Sequence, residues 1–252
     1  MEFIKSKTLK HPNLKHAFSL RSGGVSLDPY KSLNCSYYVG DQNINVKKNH
    51  ELILKSLNFE KSFFVKQVHS NKVVCAEDHL SKNNEIEADA IICKSFDLAI
   101  SVTTADCAPI LIFDRKELIV GVAHAGWKGA VKGITDNLIE HFQMNGSVIE
   151  NLLVAIGPCI GKNSFEVKSD MIKACIKEDC LSERFFINKS NTDFFDLGGY
   201  LVRKLENKGL IFIDHIDEDT YKNSEKFFSY RRETKKNNPT TGRMINIIGL
   251  TK

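Results

Sequence analysis

The chain has 252 residues, of which 42% are hydrophobic and 26% charged, with a formal net charge of +4. That mixture is ordinary for a globular protein and long enough for one large core, so one domain spanning 1–252 is expected. The mild positive charge suits an anionic substrate without calling for nucleic acid, and no apolar run approaches the roughly 18 residues of a membrane helix, so neither nucleic acid nor membrane is an expected partner.

The N-terminal Met1-Glu2-Phe3-Ile4-Lys5-Ser6-Lys7 has no apolar signal core. Seven scattered cysteines contain no Cys-x-x-Cys, so neither a disulfide framework nor a zinc-finger site is suggested, and a reducing cytoplasm is the expected setting. Short β-branched runs predict strands at Lys72–Ala76, Ala90–Ile92, Leu98–Thr103, Pro109–Phe113, Leu118–His124, Leu152–Ile156, Ile211–Ile213 and Met244–Gly249. Apolar residues Val131, Ile134, Leu138 and Phe142 fall on one face of a helix predicted over Gly129–Phe142. A second helix follows Glu166, and a third over Asp196–Glu206 repeats Leu197, Leu201 and Leu205. The polar stretch between Phe113 and Leu118 reads as a turn, so 90–124 is expected to be a hairpin or meander, with the strands ending near Cys107 and at His124 side by side. The class is mixed α/β (α+β). No Gly-x-Gly-x-x-Gly follows a strand and no Walker loop is present, which argues against dinucleotide and P-loop binding.

Cys107 in Thr103-Thr104-Ala105-Asp106-Cys107 and His124 in Val122-Ala123-His124-Ala125-Gly126-Trp127 place a thiol and an imidazole at successive strand ends. Two readings are open, a metal site or a nucleophile with its base. His69 in Val65-Lys66-Gln67-Val68-His69-Ser70 is a third donor. The polar neighbours of Cys107 favour a reachable thiolate. Gly126 and Gly129 allow close backbone approach to a ligand, and the helix predicted from Gly129 would offer its N-terminus to an anion.

Gln67-Val68-His69, Thr104-Ala105-Asp106-Cys107, Ala123-His124-Ala125-Gly126-Trp127-Lys128-Gly129, Gly157-Pro158-Cys159-Ile160-Gly161, Phe165-Glu166-Val167, Phe228-Ser229-Tyr230-Arg231-Arg232 and Thr241-Gly242-Arg243 together resemble the YfiH family. That family was named polyphenol oxidase or laccase-domain protein and is described as purine nucleoside phosphorylase. The resemblance runs from Arg21-Ser22-Gly23-Gly24 to Arg243 and implies a layered sandwich similar to cysteine-hydrolase folds. It also implies one zinc held by His69, Cys107 and His124. Two imidazoles and a thiolate leave a fourth position for water or substrate, the catalytic pattern of zinc, although the same set suits Cu(II).

The resemblance further implies phosphate attack on C1′ of a purine nucleoside, with adenosine, inosine, guanosine and methylthioadenosine as substrates, and adenosine deamination as a second activity. Purine nucleoside and inorganic phosphate are then the partners, and a monomer or weak homo-oligomer is expected. Arg21 beside a glycine pair, Arg231 or Arg232, and Arg243 are the phosphate candidates, with Arg21 also a catalytic candidate beside the three metal ligands. Gln67 and Asp106 are candidate substrate contacts, and Gly157–Gly161 could form a nest of N–H groups. Phe227-Phe228-Ser229-Tyr230 reads more readily as strand packing than as a surface for stacking a purine. Eight histidines include no His-x-His, which argues against a multicopper oxidase; His11, His16, His50, His79 and His215 are expected to face solvent or to cap. Two positions depart from the family pattern: Asp219-Thr220 stands where many members have Cys-Thr, and Ser70 replaces a glycine and would narrow the pocket. The rivals are a copper-dependent polyphenol oxidase, a Cys-His hydrolase or deamidase using Cys107 as nucleophile, and a non-catalytic metal-binding protein.

Overall fold

Alternate residues of the long strands enter different cores, and this alternation sets the architecture. The computed structural model describes residues 1–80, 85–238 and 240–252. The first half of the chain forms β1 (Phe3–Ile4), β2 (Leu14–Ser19), α1 (Asn43–Leu57), β3 (Lys61–Phe64), β4 (Val73–Cys75), β5 (Ala90–Cys93), β6 (Leu98–Thr104), β7 (Ala108–Asp114) and β8 (Ile119–Ala125). There follow α2 (Trp127–Val131), α3 (Ile134–Met144), β9 (Leu152–Ile156), β10 (Glu166–Val167), α4 (Ser169–Glu178), β11 (Phe186–Lys189) and β12 (Thr192–Phe195). The remainder is α5 (Leu197–Asn207), β13 (Phe212–His215), α6 (Tyr230–Lys235) and β14 (Met244–Leu250).

The strands build a five-stranded sheet in the order β1-β2-β14-β6-β3, a six-stranded sheet in the order β13-β9-β7-β8-β5-β4, and a small sheet β10-β12-β11. Ile100 and Val102 of β6, Ile248 of β14, Leu111 and Phe113 of β7 and Val122 of β8 share one core between the two large sheets. Ala99, Ile245 and Ile247 turn the other way, against Ile53 and Leu57 of α1. On the far side of the six-stranded sheet, Ile110, Ile112 and Ile156 pack on Leu138 and Phe142 of α3 and on Leu197, Leu201 and Leu205 of α5. Strands buried on both faces need near-continuous apolar sequence, which is why β7, β8 and β9 read as unbroken runs. The result is a layered mixed α/β sandwich, as expected.

Three expectations are corrected. The helix predicted over Gly129–Phe142 is two helices, because Gly133 adopts the left-handed conformation (φ 84°) between α2 and α3; both still place their apolar residues in one core. The strand entering the Cys107 turn, β6, does not lie beside the strand ending at His124. The chain crosses to the other sheet at 105–107, and it is the outgoing strand β7 that pairs with β8, Pro109 opposite His124. Residues 227–229 are not a strand: Phe227 and Phe228 are buried in a loop that leads into α6. The turn at the other end of the β7–β8 hairpin is as read, with Asp114 Oδ1 accepting from the N–H groups of Lys116 and Glu117.

Helix α1 escaped the sequence reading because its buried face, Val46, Asn49, His50, Ile53 and Leu57, is partly polar. Asn49 explains the polarity. Its side-chain NH₂ donates to Ser26 Oγ and to the carbonyls of Ser32 and Asn34, and its oxygen accepts from Val25 N–H, so it pins the loop after β2. His16 and His50 are likewise buried, against expectation.

Two predictions follow from packing and charge. At Gly121 in β8 a β-carbon would lie 2.6 Å from Phe142 Cε2, so Gly121→Ala is expected to cost about 1–3 kcal/mol in urea unfolding. Combined with Phe142→Leu, the loss should be smaller than the sum of the two single changes. The second concerns Glu77, after β4, which accepts from the N–H groups of Lys94 and Ser95 and from Ser95 Oγ at the end of β5. Burial alone would raise this carboxyl; the Cys75 thiol and these donors outweigh it and hold it at about 2, below its ordinary 4.5. A lowered folded pKa means that the stabilisation is complete above about pH 4.5 and is lost as pH falls through about 2. The gap in urea midpoint between the native protein and Glu77→Gln should therefore be present at neutral pH and close on acidification through that window.

Candidate metal centre

Three donors converge where the two large sheets meet at one end. His69 lies in the loop after β3, Cys107 at the crossing from β6 to β7, and His124 near the end of β8. One ligand atom from each lies within 4.8 Å of the other two, and the two imidazole rings stand 4.8 Å apart at 70°. The backbone is bent to achieve this: His69 (φ 57°) and Asp106 (φ 88°), beside Cys107, are both in the left-handed region. Gln67 fixes the His69 loop by imitating a strand partner, its Oε1 accepting from Thr103 N–H (2.7 Å) while its Nε2 donates to Thr103 O (2.8 Å).

Asp89, immediately before β5, ties the two histidines together. It is fully buried. Its Oδ1 is 2.8 Å from His124 Nδ1 and accepts from His69 N–H; its Oδ2 accepts from the N–H groups of Val68 and Ser70 and from Ser70 Oγ. The Asp89 carbonyl also accepts from His124 N–H at 2.7 Å. With Nδ1–H of His124 held by a carboxylate, Nε2 is the nitrogen left to a ligand, the usual support for a metal-bound imidazole. Burial disfavours the His124 imidazolium, but the Cys107 sulfur and Asp89 outweigh it and raise the group to about 9. His69, desolvated and beside His124, is lowered to about 4. Burial would raise Asp89, yet its hydrogen bond to His124 and the other donors leave it below the usual range. The His69 imidazole is thus uncharged at neutral pH, with one ring nitrogen free to act as a donor to a metal, and His124 sits where positive charge is favoured, which suits a cation in place of a proton.

The glycines expected to allow close approach do so, but toward the ligands themselves. A β-carbon at Gly126 would lie 2.6 Å from His69 Nδ1 and 3.0 Å from Cys107 Sγ; one at Gly129 would lie 2.8 Å from the Ser70 carbonyl. The donor types, their mutual distances and this close glycine wall fit a single bound cation. Among the described residues it is the one His/Cys/Asp/Glu group with that geometry.

The triad lines a cavity of about 580 Å³, which Gln67, Asp106, Arg231 and Arg243 also line. Arg243 donates through NH1 to the carbonyls of Thr241 and Gly242 and lies over the Tyr230 ring; Arg231 donates through NH1 to Glu166 O and lies over Phe165. Asp106 is a buried brace, accepting from Thr220 Oγ1, Ser229 Oγ and Arg231 N–H. Its burial raises the carboxyl above its usual range despite these donors.

Other expected contacts are not brought to the cavity. Arg21 does not line it: its guanidinium donates to the carbonyls of Lys31 and Ser224 and lies 4.8 Å from the Phe228 ring centre. The neighbouring glycine is explained by packing, since a β-carbon on Gly24 would lie 2.3 Å from Ser32 O and 2.5 Å from Asn49 Oδ1. Arg232 spends its donors on the carbonyls of Thr220, Tyr221 and Phe227. The Gly157–Gly161 segment is no nest, because its N–H groups at Gly157, Ile160 and Gly161 are bonded to Pro109 O, Asp106 O and Asp219 Oδ1. The helix after His124 is only five residues long. Ser70 does not line the cavity; its hydroxyl serves Asp89. Asp89 itself was missed, and the one signal for it is an acid set between Ala88 and Ala90 at the mouth of a buried strand.

A sequence model described as multi-copper polyphenol oxidoreductase laccase matches residues 15–251. The chain is 35% identical over 235 residues to a protein of Escherichia coli K12 named purine nucleoside phosphorylase YfiH, covering 92% of each. It is 35% identical over 202 residues to a Rickettsia prowazekii protein named purine nucleoside phosphorylase, covering 79% of this chain and 82% of that one. Among solved structures, a Neisseria meningitidis protein superposes with a TM-score of 0.89 at 30% identity over 99% of both chains. A Bacillus licheniformis protein named YfiH does so with a TM-score of 0.85 at 25% identity, over 96% of this chain and 98% of that one. Sequence and architecture agree over nearly the whole length, and the chain belongs to the YfiH family, that of the multi-copper polyphenol oxidoreductase laccase model.

Proposed function

We propose that the protein is a metal-dependent purine nucleoside phosphorylase that converts a purine nucleoside and inorganic phosphate into free base and ribose 1-phosphate. Adenosine, inosine, guanosine and methylthioadenosine are the proposed nucleosides, the last giving the methylthio analogue of ribose 1-phosphate, and zinc is the proposed ion. The observation that carries this reading is the convergence of His69, Cys107 and His124 on a cavity that Arg231 and Arg243 also line. Relatives named purine nucleoside phosphorylase support it.

When bound by three protein donors, zinc supplies a Lewis-acidic position open to an oxygen of water or substrate. Arg231 and Arg243 each use NH1 on backbone carbonyls, which restrains their guanidinium groups and leaves the other N–H groups to bind phosphate. Held in that way, a phosphate oxygen attacks C1′, the C1′–N9 bond breaks, and the electron pair leaves with the base. Positive charge on the guanidinium groups opposes the electrostatic cost of gathering the phosphate. Adenosine deamination to inosine is the companion activity proposed for the same centre. Oxidation of phenols with copper is disfavoured, because one three-donor group among the described residues does not make the several copper sites of a multicopper oxidase.

A second reading has a specific observation behind it. Asp89, His124 and Cys107 form an acid-imidazole-thiol chain that could activate a nucleophile in a hydrolase. His69 on the same thiol favours the metal. Alkylation separates the two: in metal-loaded protein Cys107 should be protected from iodoacetamide until a chelator is added, whereas a nucleophile would be modified either way.

The reaction itself is tested by incubating adenosine or inosine with protein purified without chelator, with and without phosphate, and separating the products. Free base that requires phosphate is expected, and His124→Ala should reduce it to background. Base formed equally without phosphate, or undiminished in the variant, would overturn the proposal. For the metal, Cys107→Ala should abolish stoichiometric zinc. Asp89→Asn should weaken zinc affinity about 10- to 100-fold in a competition assay with a chromogenic chelator.

A further inference from the structure

After pairing with β2, the N-terminal chain leaves the five-stranded sheet at Ile4 and reaches β13, the edge strand of the six-stranded sheet. His16 alternates with Leu14 and Phe18 on the inner face of β2, and Asp214, opposite Ala155, is on the inner face of β13. Residues 5–9 lie between the two. Leu9 is buried in the core shared by the large sheets. On the β13 side, Asp214 Oδ2 accepts from Ser6 Oγ and from Lys7 N–H, and Ser6 Oγ in turn accepts from the N–H groups of Thr8 and Leu9. On the β2 side, Lys5 Nζ donates to the His16 carbonyl, and His16 Nε2 accepts from Ser6 N–H at 2.9 Å. The segment thus closes the edge of the sandwich by polar contacts to both sheets and by one apolar side chain between them.

The bond to His16 allows one protonation state only. An imidazole nitrogen that accepts from a backbone N–H carries no proton, and an imidazolium has two donors and no acceptor. His16 and Ser6 are each 5% exposed, so a proton at Nε2 would face a second donor with little water to take its place. The charged groups around the ring are Lys5 from the segment itself and Asp214 from β13, with Lys15 of β2 beside Lys5. The neighbouring strand β14 pairs with His16 through Ile248 and brings no charge there. Burial and Lys5 outweigh Asp214 and hold the imidazole at about 4, below its ordinary 6.5.

We propose that residues 5–9 are an acid-released strap: protonation of His16 breaks its bond to Ser6 N–H, and the segment lifts from the sandwich edge, withdrawing Leu9 while the rest of the fold stands. With the strap in place the ring is held uncharged, and with it lifted the ring meets water and regains its ordinary value. A value lowered in the closed state means that attachment is complete above about pH 6.5 and is lost as pH falls from there toward about 4. The contacts of Glu77 fail only below about pH 4.5, so the strap opens first.

The test is amide hydrogen exchange of the native protein, read by NMR from about pH 7 to about pH 5 and corrected for the intrinsic pH dependence of exchange. Protection of the Ser6, Lys7 and Leu9 amides should fall about tenfold for each pH unit below about 6.5, while the amides of β7 and β8 keep theirs. His16→Gln, whose side-chain oxygen can accept the same bond without titrating, should hold the strap and remove the dependence. Ser6→Ala loses the Oγ contacts to Asp214, Thr8 and Leu9, and should lower protection at every pH with the slope unchanged. Constant protection over this range, an equal slope in His16→Gln, or a simultaneous fall in β7 and β8 would overturn the strap. The native ring supplies an independent reading: the His16 imidazole should titrate well below 6.5, and titration at that ordinary value would equally sink the idea.

Discussion

The constraint on which the centre depends is the burial of the Asp89 carboxylate. A charge placed out of water must be met by donors, and here the donors are the N–H groups of 68–70 together with the His124 ring. Satisfying the acid therefore draws the His69 loop onto the β5–β8 pair. The same bonds that meet its charge bring the two imidazoles to a common point. Gln67 then locks the loop to β6, and Gly126, lacking a β-carbon, lets His69 and Cys107 close against the end of β8. The approach of the two imidazoles is a consequence of how one buried acid is hydrogen-bonded.

A second layer of support lies behind Cys107. The chain changes sheets there, and Asp106 adopts a conformation that most side chains avoid. Thr220, Ser229 and the Arg231 N–H hold it in place. The residue before the thiol is thus anchored to the segment that carries Arg231 toward the cavity. The backbone on either side, at Cys107 and at Arg231, is thus tied through Asp106, while the Arg231 guanidinium is held separately by the Glu166 carbonyl.

The parts of this structure that could be read from sequence are those where one residue type suffices. Thiol and imidazole at strand ends are conspicuous, and leucines spaced along α5 can bury only one face. The rest was hidden for physical reasons. Periodicity shows that β6 is a strand but not which sheet it joins, since its neighbours, β14 and β3, lie far along the chain in both directions. Helix α1 buries Asn49 and His50, which look like surface residues until their loop partners are known. Asp89 is a single acid whose role exists only after β5 and β8 pair. Gly24 reads as a ligand-wrapping glycine by spacing, and only the structure shows that the space it leaves is filled by Ser32 and Asn49.

The position of β14 has a consequence for assembly. It lies between β2 and β6 in the five-stranded sheet, downstream in sequence of every other strand. Until it docks, β2 and β6 both present an open edge, and the core shared with the six-stranded sheet lacks Ile248 and Leu250. Contacts that span most of the chain are slow to form, because loop closure comes before any gain from them. The edge of β6 that leads to the Cys107 turn is thus completed by the strand furthest from it in sequence.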